Sequence, residues 1–171
     1  METPVFSIIT PTNKRPELLK RTFGSVLAQS FDKFGQIIVD DANDAETAQV
    51  VETIGNPRLR YIAHETNRGA AATYNTKMKN ARGKYINFLD DDDEYLPGIL
   101  QKTHQTFLRA TNNPGFVWTG ITVVRDLPKA EETIRTQVWP ADFNPREQGL
   151  MVSTVIGNGF GLSVKKEISL N

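Results

Sequence analysis

Apolar and polar positions alternate in blocks along the first hundred residues, and the period of the alternation changes from block to block. Val5 to Ile9 is a short run rich in β-branched and aromatic side chains, ended by Pro11, Thr12 and Asn13, which predicts a first strand. From about Pro16 to Ser30, Leu19, Phe23, Val26 and Leu27 recur at helical spacing, with Pro16 suited to a first turn. Gln36 to Val39 predicts a second strand rising to Asp40 and Asp41, Ala45 to Thr53 a short helix, and Leu59 to Ile62 a third strand. Asn67-Arg68-Gly69 punctuates the chain before a helix with Ala71, Tyr74, Met78 and Ala81 on one face; Gly83 stops it, and Tyr85 to Leu89 makes strand four. Four strands alternating with three helices predict a parallel sheet covered on both faces, and ligands of such sheets sit outside the carboxyl ends of the strands. The loops after strands one, two and four therefore come under suspicion.

The second half has another texture. A helix is expected from about Pro97 to Ala110, then a β-rich run from Gly115 to Val124, a polar stretch from Asp126 to Glu132, and a return strand from Ile134 to Trp139. Asp142 to Gln148 reads as a loop, and the glycine-rich Gly157 to Leu162 leads into a strand end. That segment is not a dinucleotide-binding glycine pattern, and no Walker A motif occurs, which disfavours a nicotinamide enzyme or a P-loop ATPase.

With 171 residues the chain suits one domain. Twenty basic residues balance twenty acidic ones without a dense Lys/Arg block, so a nucleic-acid partner has little electrostatic support and a small neutral or anionic substrate fits better. The absence of cysteine excludes disulfides, thiolate nucleophiles and Cys-based zinc sites. No apolar run approaches the ~18 residues of a membrane span, and the first residues lack the pattern of a signal peptide. The expectation is a soluble, cytoplasmic protein, or one peripheral to the inner face of a membrane.

Composition matters most at one place, Asp90-Asp91-Asp92-Asp93-Glu94, directly after strand four. At about 4 Å a like-charged pair costs about 1 kcal/mol in bulk water and about 4 at an effective dielectric near 20, so carboxylates this crowded call for a counter-charge. An extended continuation of the strand would put Asp90 and Asp92 on one side and Asp91 on the other. Such a pair suits a hard cation, Mn2+ or Mg2+, which prefers oxygen ligands. The competing reading is a solvated acidic turn before a helix.

Taken in order, Ser7 to Asn13, Ile38-Val39-Asp40-Asp41, Asn67-Arg68-Gly69, Asn75, Gly83 and Phe88 to Asp93 resemble the motifs of family 2 glycosyltransferases, over residues 5 to 97. The resemblance implies an α/β fold of the GT-A (Rossmann-like) type, a three-layer sandwich with a mainly parallel sheet and a β-rich C-terminal part. It implies an inverting transfer from a nucleoside diphosphate sugar, UDP-linked, to a saccharide or glycoconjugate, with Mn2+ or Mg2+, as in polysaccharide biosynthesis. Residues 1 to about 97 would form the donor-binding half and about 98 to 171 the start of the acceptor side. A homodimer is allowed.

On this resemblance the donor is held by Thr10, Pro11, Thr12, Asp41, Arg68, Asp90 and Asp91, and the metal by Asp92 with Asp90. Asp41 could accept the imide N–H of uracil, because a carboxylate only accepts; Asp40 or Asp41 could instead cap the next helix. Arg68, in a glycine-flanked loop opening a helix, is expected to draw the diphosphate together with free backbone N–H groups. In similar proteins the general base lies beyond a segment like Gly157 to Leu170, so it is expected outside this chain; Asp142, Glu147 and Glu167 read as solvated acids. His64, just after strand three, could reach the nucleotide loop but reads first as a solvated loop residue, His104 as a histidine at the edge of the core, and Trp118 and Trp139 as core residues or acceptor platforms. Two other functions share parts of this pattern. One is a catalytically silent nucleotide-sugar-binding module. The other is a metal-dependent nucleotidyltransferase, whose glycine-rich loop after strand one is missing from Thr10 to Arg15.

Overall fold

The computed structural model of the chain describes residues 3–69, 76, 78–127, 130–137 and 161–169. β1 (Phe6–Thr12) is an apolar strand in which every residue but Pro11 is buried. It forms parallel ladders with β2 (Phe34–Asp40) on one side and β4 (Tyr85–Phe88) on the other, and β3 (Leu59–Ala63) adds parallel to β2. Strands buried on both faces read as apolar runs, which makes β1, β2 and β4 legible, while β3, at the edge of the sheet, is only partly buried. Among the described residues the main sheet has six strands, in the order β3-β2-β1-β4-β8-β5. β8 (Leu162–Lys165) and β5 (Phe116–Trp118) are its antiparallel members.

Alternation along β1 builds the layers. Phe6 and Ile8 pack with Val26 of α1 (Pro16–Leu27) and with Leu100 and Phe107 of α3 (Ile99–Arg109). Ile9 points the other way, into a cluster with Ile37, Val39, Ile86 and Ala81. Ile38 meets Leu19 and Phe23 of α1, and Val50, Val51 and Ile54 of α2 (Ala45–Ile54) pack against them. Because α3 shares the cluster of Phe6 and Tyr85, the core runs without a break across residue 97. His104 sits at that cluster's edge, its ring 5.1 to 6.3 Å from those of Phe31, Phe6 and Tyr85, as expected.

One local reading changes. Gly83 does not end a helix by a left-handed turn: a Cβ there would lie 2.5 Å from the Ser7 amide nitrogen, so glycine is required by the close approach of two backbones where β4 joins β1. Residues 69, 76 and 78–80 of the expected third crossover helix are helical, while Ala71, Tyr74 and Asn75 lie outside the described residues.

The β-rich half also differs from expectation. Gly115 to Val124 is not one strand: β5 stays in the main sheet, and β6 (Ile121–Leu127) leaves it to pair with β7 (Ala130–Gln137). Within the polar stretch expected to connect the hairpin, Asp126, Glu131 and Glu132 are strand residues of this two-stranded ribbon, which exposes Thr122, Val124, Thr133 and Thr136. β5 finds its partner in β8, more than forty residues later, with Thr119 N–H donating to the Gly161 carbonyl at 2.9 Å. Short α4 (Lys166–Ser169) follows β8.

A cleft at the switch point of the sheet

The chain lays down β1, β2 and β3 in one direction and then returns past β1 to place β4 on its other side. The crevice at such a reversal, outside the carboxyl ends of the strands, is where open α/β sheets bind ligands. A cleft of about 500 Å3 opens there, lined by Pro11, Thr12, Asn13, Arg15, Asp41, Asp90, Asp91 and Asp92. Of the residues predicted to hold a donor or metal, two do not line it. Thr10 is fully buried and its hydroxyl accepts from Gln36 Nε2 at 2.9 Å, behind the cleft. Arg68 is exposed, in the loop beside Asp41.

On the β2 side the two carboxylates are filled with donors. Asp40 accepts from the N–H groups of Ala42 (2.9 Å) and Asp44 (2.7 Å) and from the Tyr61 hydroxyl (2.7 Å), which with burial pushes the Tyr61 phenol upward. Asp41 accepts from His64 Nδ1 (2.8 Å), Arg68 N–H (2.9 Å) and Gly69 N–H (2.8 Å). Burial alone would raise the Asp41 pKa, but the Arg68 N–H, the His64 ring and the Gly69 N–H together hold it below the ordinary carboxylate value. Thus neither acid caps the helix that follows it; Asp44 caps α2 through the Thr47 N–H at 2.9 Å. The Arg68 and Gly69 amides expected to be free for an anion are engaged by Asp41 instead. His64, expected to be solvated, is buried between Asp41 and the Thr76 hydroxyl, 3.0 Å from its Nε2. The signal was topological: the backbone N–H of His64 bonds the Asp40 carbonyl at 2.9 Å, continuing the β2–β3 ladder, so its side chain emerges beside Asp41.

On the β4 side the carboxylates are crowded. β4 ends at Phe88, and the following acids do not continue it: Asp93 N–H turns back to the Asp90 carbonyl at 3.2 Å. This turn replaces the expected extended segment and gathers Asp90, Asp92 and Asp93, one oxygen of each lying within 4.8 Å of the others. Asp93 was not among the predicted ligands; the turn, not an alternating strand, brings it in. Burial, then the charges of Asp90, Asp92 and Asp91, push the Asp93 carboxyl up to about 7. Such a crowded oxygen set suits a hard divalent cation. Asp91 departs from the group, buried and tied to the Thr12 hydroxyl at 2.8 Å. Glu94 leaves too, paired with Arg21 at 2.5 Å.

Sequence reasoning missed Arg15. Its Nη1 lies 3.3 Å from Asp91 Oδ1 and 3.0 Å from Asp92 Oδ2, so a guanidinium partly offsets the acidic loop from across the cleft. Lys14, just before it, adopts the left-handed φ of 55° as the chain turns from β1 into α1. Trp118 is half-buried against Phe116, ring centroids 5.1 Å apart, and Glu167 is exposed. Trp139, Asp142 and Glu147 lie outside the described residues.

Comparison with known proteins supplies an independent line. The model of glycosyl transferase family 2 matches residues 7–165. A relative from Escherichia coli (strain K12), named for colanic acid biosynthesis as a glycosyl transferase, is 39% identical over 99 residues, 57% of this chain and 36% of its own length. S. aureus TarS 1-349, solved in complex with UDP-GlcNAc, is 30% identical with a TM-score of 0.56, over 60% of this chain and 30% of that one. The mannosyltransferase PcManGT from Pyrobaculum calidifontis, solved with GDP-Man and Mn2+, covers 97% of this chain and 46% of its own at a TM-score of 0.66; at 19% identity it speaks for the fold. The chain thus spans about a third to a half of the length of these three proteins.

Proposed function

The chain belongs to glycosyl transferase family 2, and from that premise we propose that it serves an inverting glycosyltransferase, passing a sugar from a UDP-linked donor to a saccharide or glycoconjugate hydroxyl. The observation that carries the reading is that Asp41 and Asp90 to Asp92 line one ligand-sized cleft from opposite sides of β1. Two strand spacings, about 10 Å, separate the ends of β2 and β4, which is the scale of a nucleotide.

Asp41 has acceptor capacity for about four hydrogen bonds and uses three within the protein, leaving one for the imide N–H of uracil. That the TarS structure was solved with UDP-GlcNAc supports a uridine donor. Pro11 and Thr12 floor the cleft, and Thr10 serves indirectly by locking β1 to β2 through Gln36. Asp91, steadied by Thr12, reaches the ribose hydroxyls. Asp92 and Asp90, joined by Asp93, hold Mn2+ or Mg2+, and Arg68 turns its side chain to the diphosphate. A bound divalent ion stabilises the charge that builds on the leaving diphosphate, so departure needs no proton donor. The residues up to about 97 bind the donor and those beyond begin the acceptor side. The general base that takes the acceptor proton is not assigned to any described residue.

The test is a calorimetric screen of UDP and UDP-sugars with and without Mn2+, repeated on Asp92→Ala, beside a transfer assay. Metal-dependent UDP binding that the substitution removes is the expected result. Equal UDP affinity with and without Mn2+ would overturn the metal assignment, and binding without turnover would leave a donor-binding module in place of an enzyme.

A further inference from the structure

The acidic loop is gripped by α1 and the residues just after it. Thr22 and Ser25 stand one turn apart on the helix, at i and i+3, and Gln29 follows two residues beyond its last residue, Leu27. The Thr22 hydroxyl lies 2.9 Å from the Asp91 carbonyl oxygen and 2.8 Å from that of Asp93, so its single proton is shared between them. Ser25 Oγ accepts the Tyr95 N–H at 3.0 Å, and Gln29 Nε2 donates to the Leu96 carbonyl at 3.2 Å. Thr22 is fully buried and Gln29 nearly so, beside the apolar stripe of Leu19, Phe23 and Val26. Polar side chains buried this deeply need partners, and these three reach the backbone of the same six-residue segment, 91 to 96. That segment would otherwise spread, because its carboxylates repel.

We propose that Thr22, Ser25 and Gln29 form a positioning cradle that holds the backbone of the acidic loop so that the oxygens of Asp90, Asp92 and Asp93 stay within reach of one divalent cation. The proposal rests on the reading of that cluster as the cation site. The cradle acts through backbone carbonyls and an amide of the loop and touches neither ion nor substrate. Its effect is to hold mutually repelling ligands in a binding geometry before the ion arrives, which raises affinity by lowering the ordering cost.

Thr22→Val keeps the shape of the side chain and removes its hydroxyl, and Thr22→Ser restores a hydroxyl. Two quantities are read on each: hydrogen exchange at the Asp93 and Tyr95 amides, and the dissociation constant for Mn2+ by calorimetry without nucleotide. Thr22→Val is expected to speed exchange in residues 91 to 96 selectively and to weaken Mn2+ about ten-fold, with Thr22→Ser recovering most of both. Should Thr22→Val not fold, Ser25→Ala, at a half-buried position, is read the same way. Unchanged Mn2+ affinity in a folded variant overturns the cradle, even if exchange quickens, because the link would then be structural only. If the wild-type chain binds no Mn2+, the cation reading itself falls, an outcome distinct from failure of the cradle.

Discussion

The ends of β2 and β4 both carry consecutive aspartates beside the same cleft, yet they solve the problem of buried charge in opposite ways. Asp40 and Asp41 receive six hydrogen bonds from the protein, and the Asp41 carboxyl is held below its ordinary value. At β4 Asp91 accepts from the Thr12 hydroxyl, while Asp93 is pushed up to about 7 by burial and by its neighbours. Carboxylates given N–H and O–H donors are self-sufficient and serve as a rigid part of the fold. Carboxylates crowded against one another instead favour an added positive charge, a proton or a cation.

Substitutions on the two sides should therefore fail differently. Asp92→Ala is expected to reduce UDP affinity in the presence of Mn2+ about a hundred-fold while leaving the melting temperature unchanged or raised, since a repelling charge is removed. Loss of stability comparable to the loss of binding would erase the distinction between the two regions. Asp40→Ala should do the reverse and cost about 3 kcal/mol in urea denaturation, because two amides and a phenol lose a buried acceptor. A cost within experimental error would show that water satisfies those donors.

The pH dependence sharpens the same contrast. Asp41 has a depressed folded-state pKa, so its contribution to stability is present above the unfolded value near 3.8 and is lost as pH falls through the folded value. The stability difference between wild type and Asp41→Asn should therefore be largest near neutral pH and shrink as pH is lowered past 3.8. A difference independent of pH over that range would mean that the ionised form gains nothing from its donors. The smallest effect belongs to Arg15, whose exposed guanidinium pairs with Asp91 and Asp92. Arg15→Gln should tighten Mn2+ binding without nucleotide by about two- to five-fold, read by competition with a coloured chelator, because a resident positive charge is removed. Weaker Mn2+ binding would instead make Arg15 a support of the loop.

Much of this site could be read from local pattern. β1, β2 and β4 announce themselves as apolar runs, and each is followed by the polar residues that line the cleft. Arg15, His64 and Asp93 could not be read that way. Arg15 meets Asp91 across 76 positions, a pairing that needs β4 beside β1, and His64 meets Asp41 across 23, which needs β3 beside β2. Asp93 joins its neighbours through a turn that an alternating reading of the acidic run does not contain. The hairpin failed for a related reason: Gly115 to Val124 has β composition throughout, but which part pairs with β8 and which with β7 is a matter of non-local partners.

From residue order alone came the alternation of strand and helix, and with it the sheet, its ligand-binding edge and the acids placed there, because burial periodicity is a local property of the chain. The charge state of those acids came only with folding. Whether an aspartate ends among amide donors or among other aspartates depends on which distant segments the sheet brings beside it, and Coulomb and desolvation energies follow distance in space rather than along the chain.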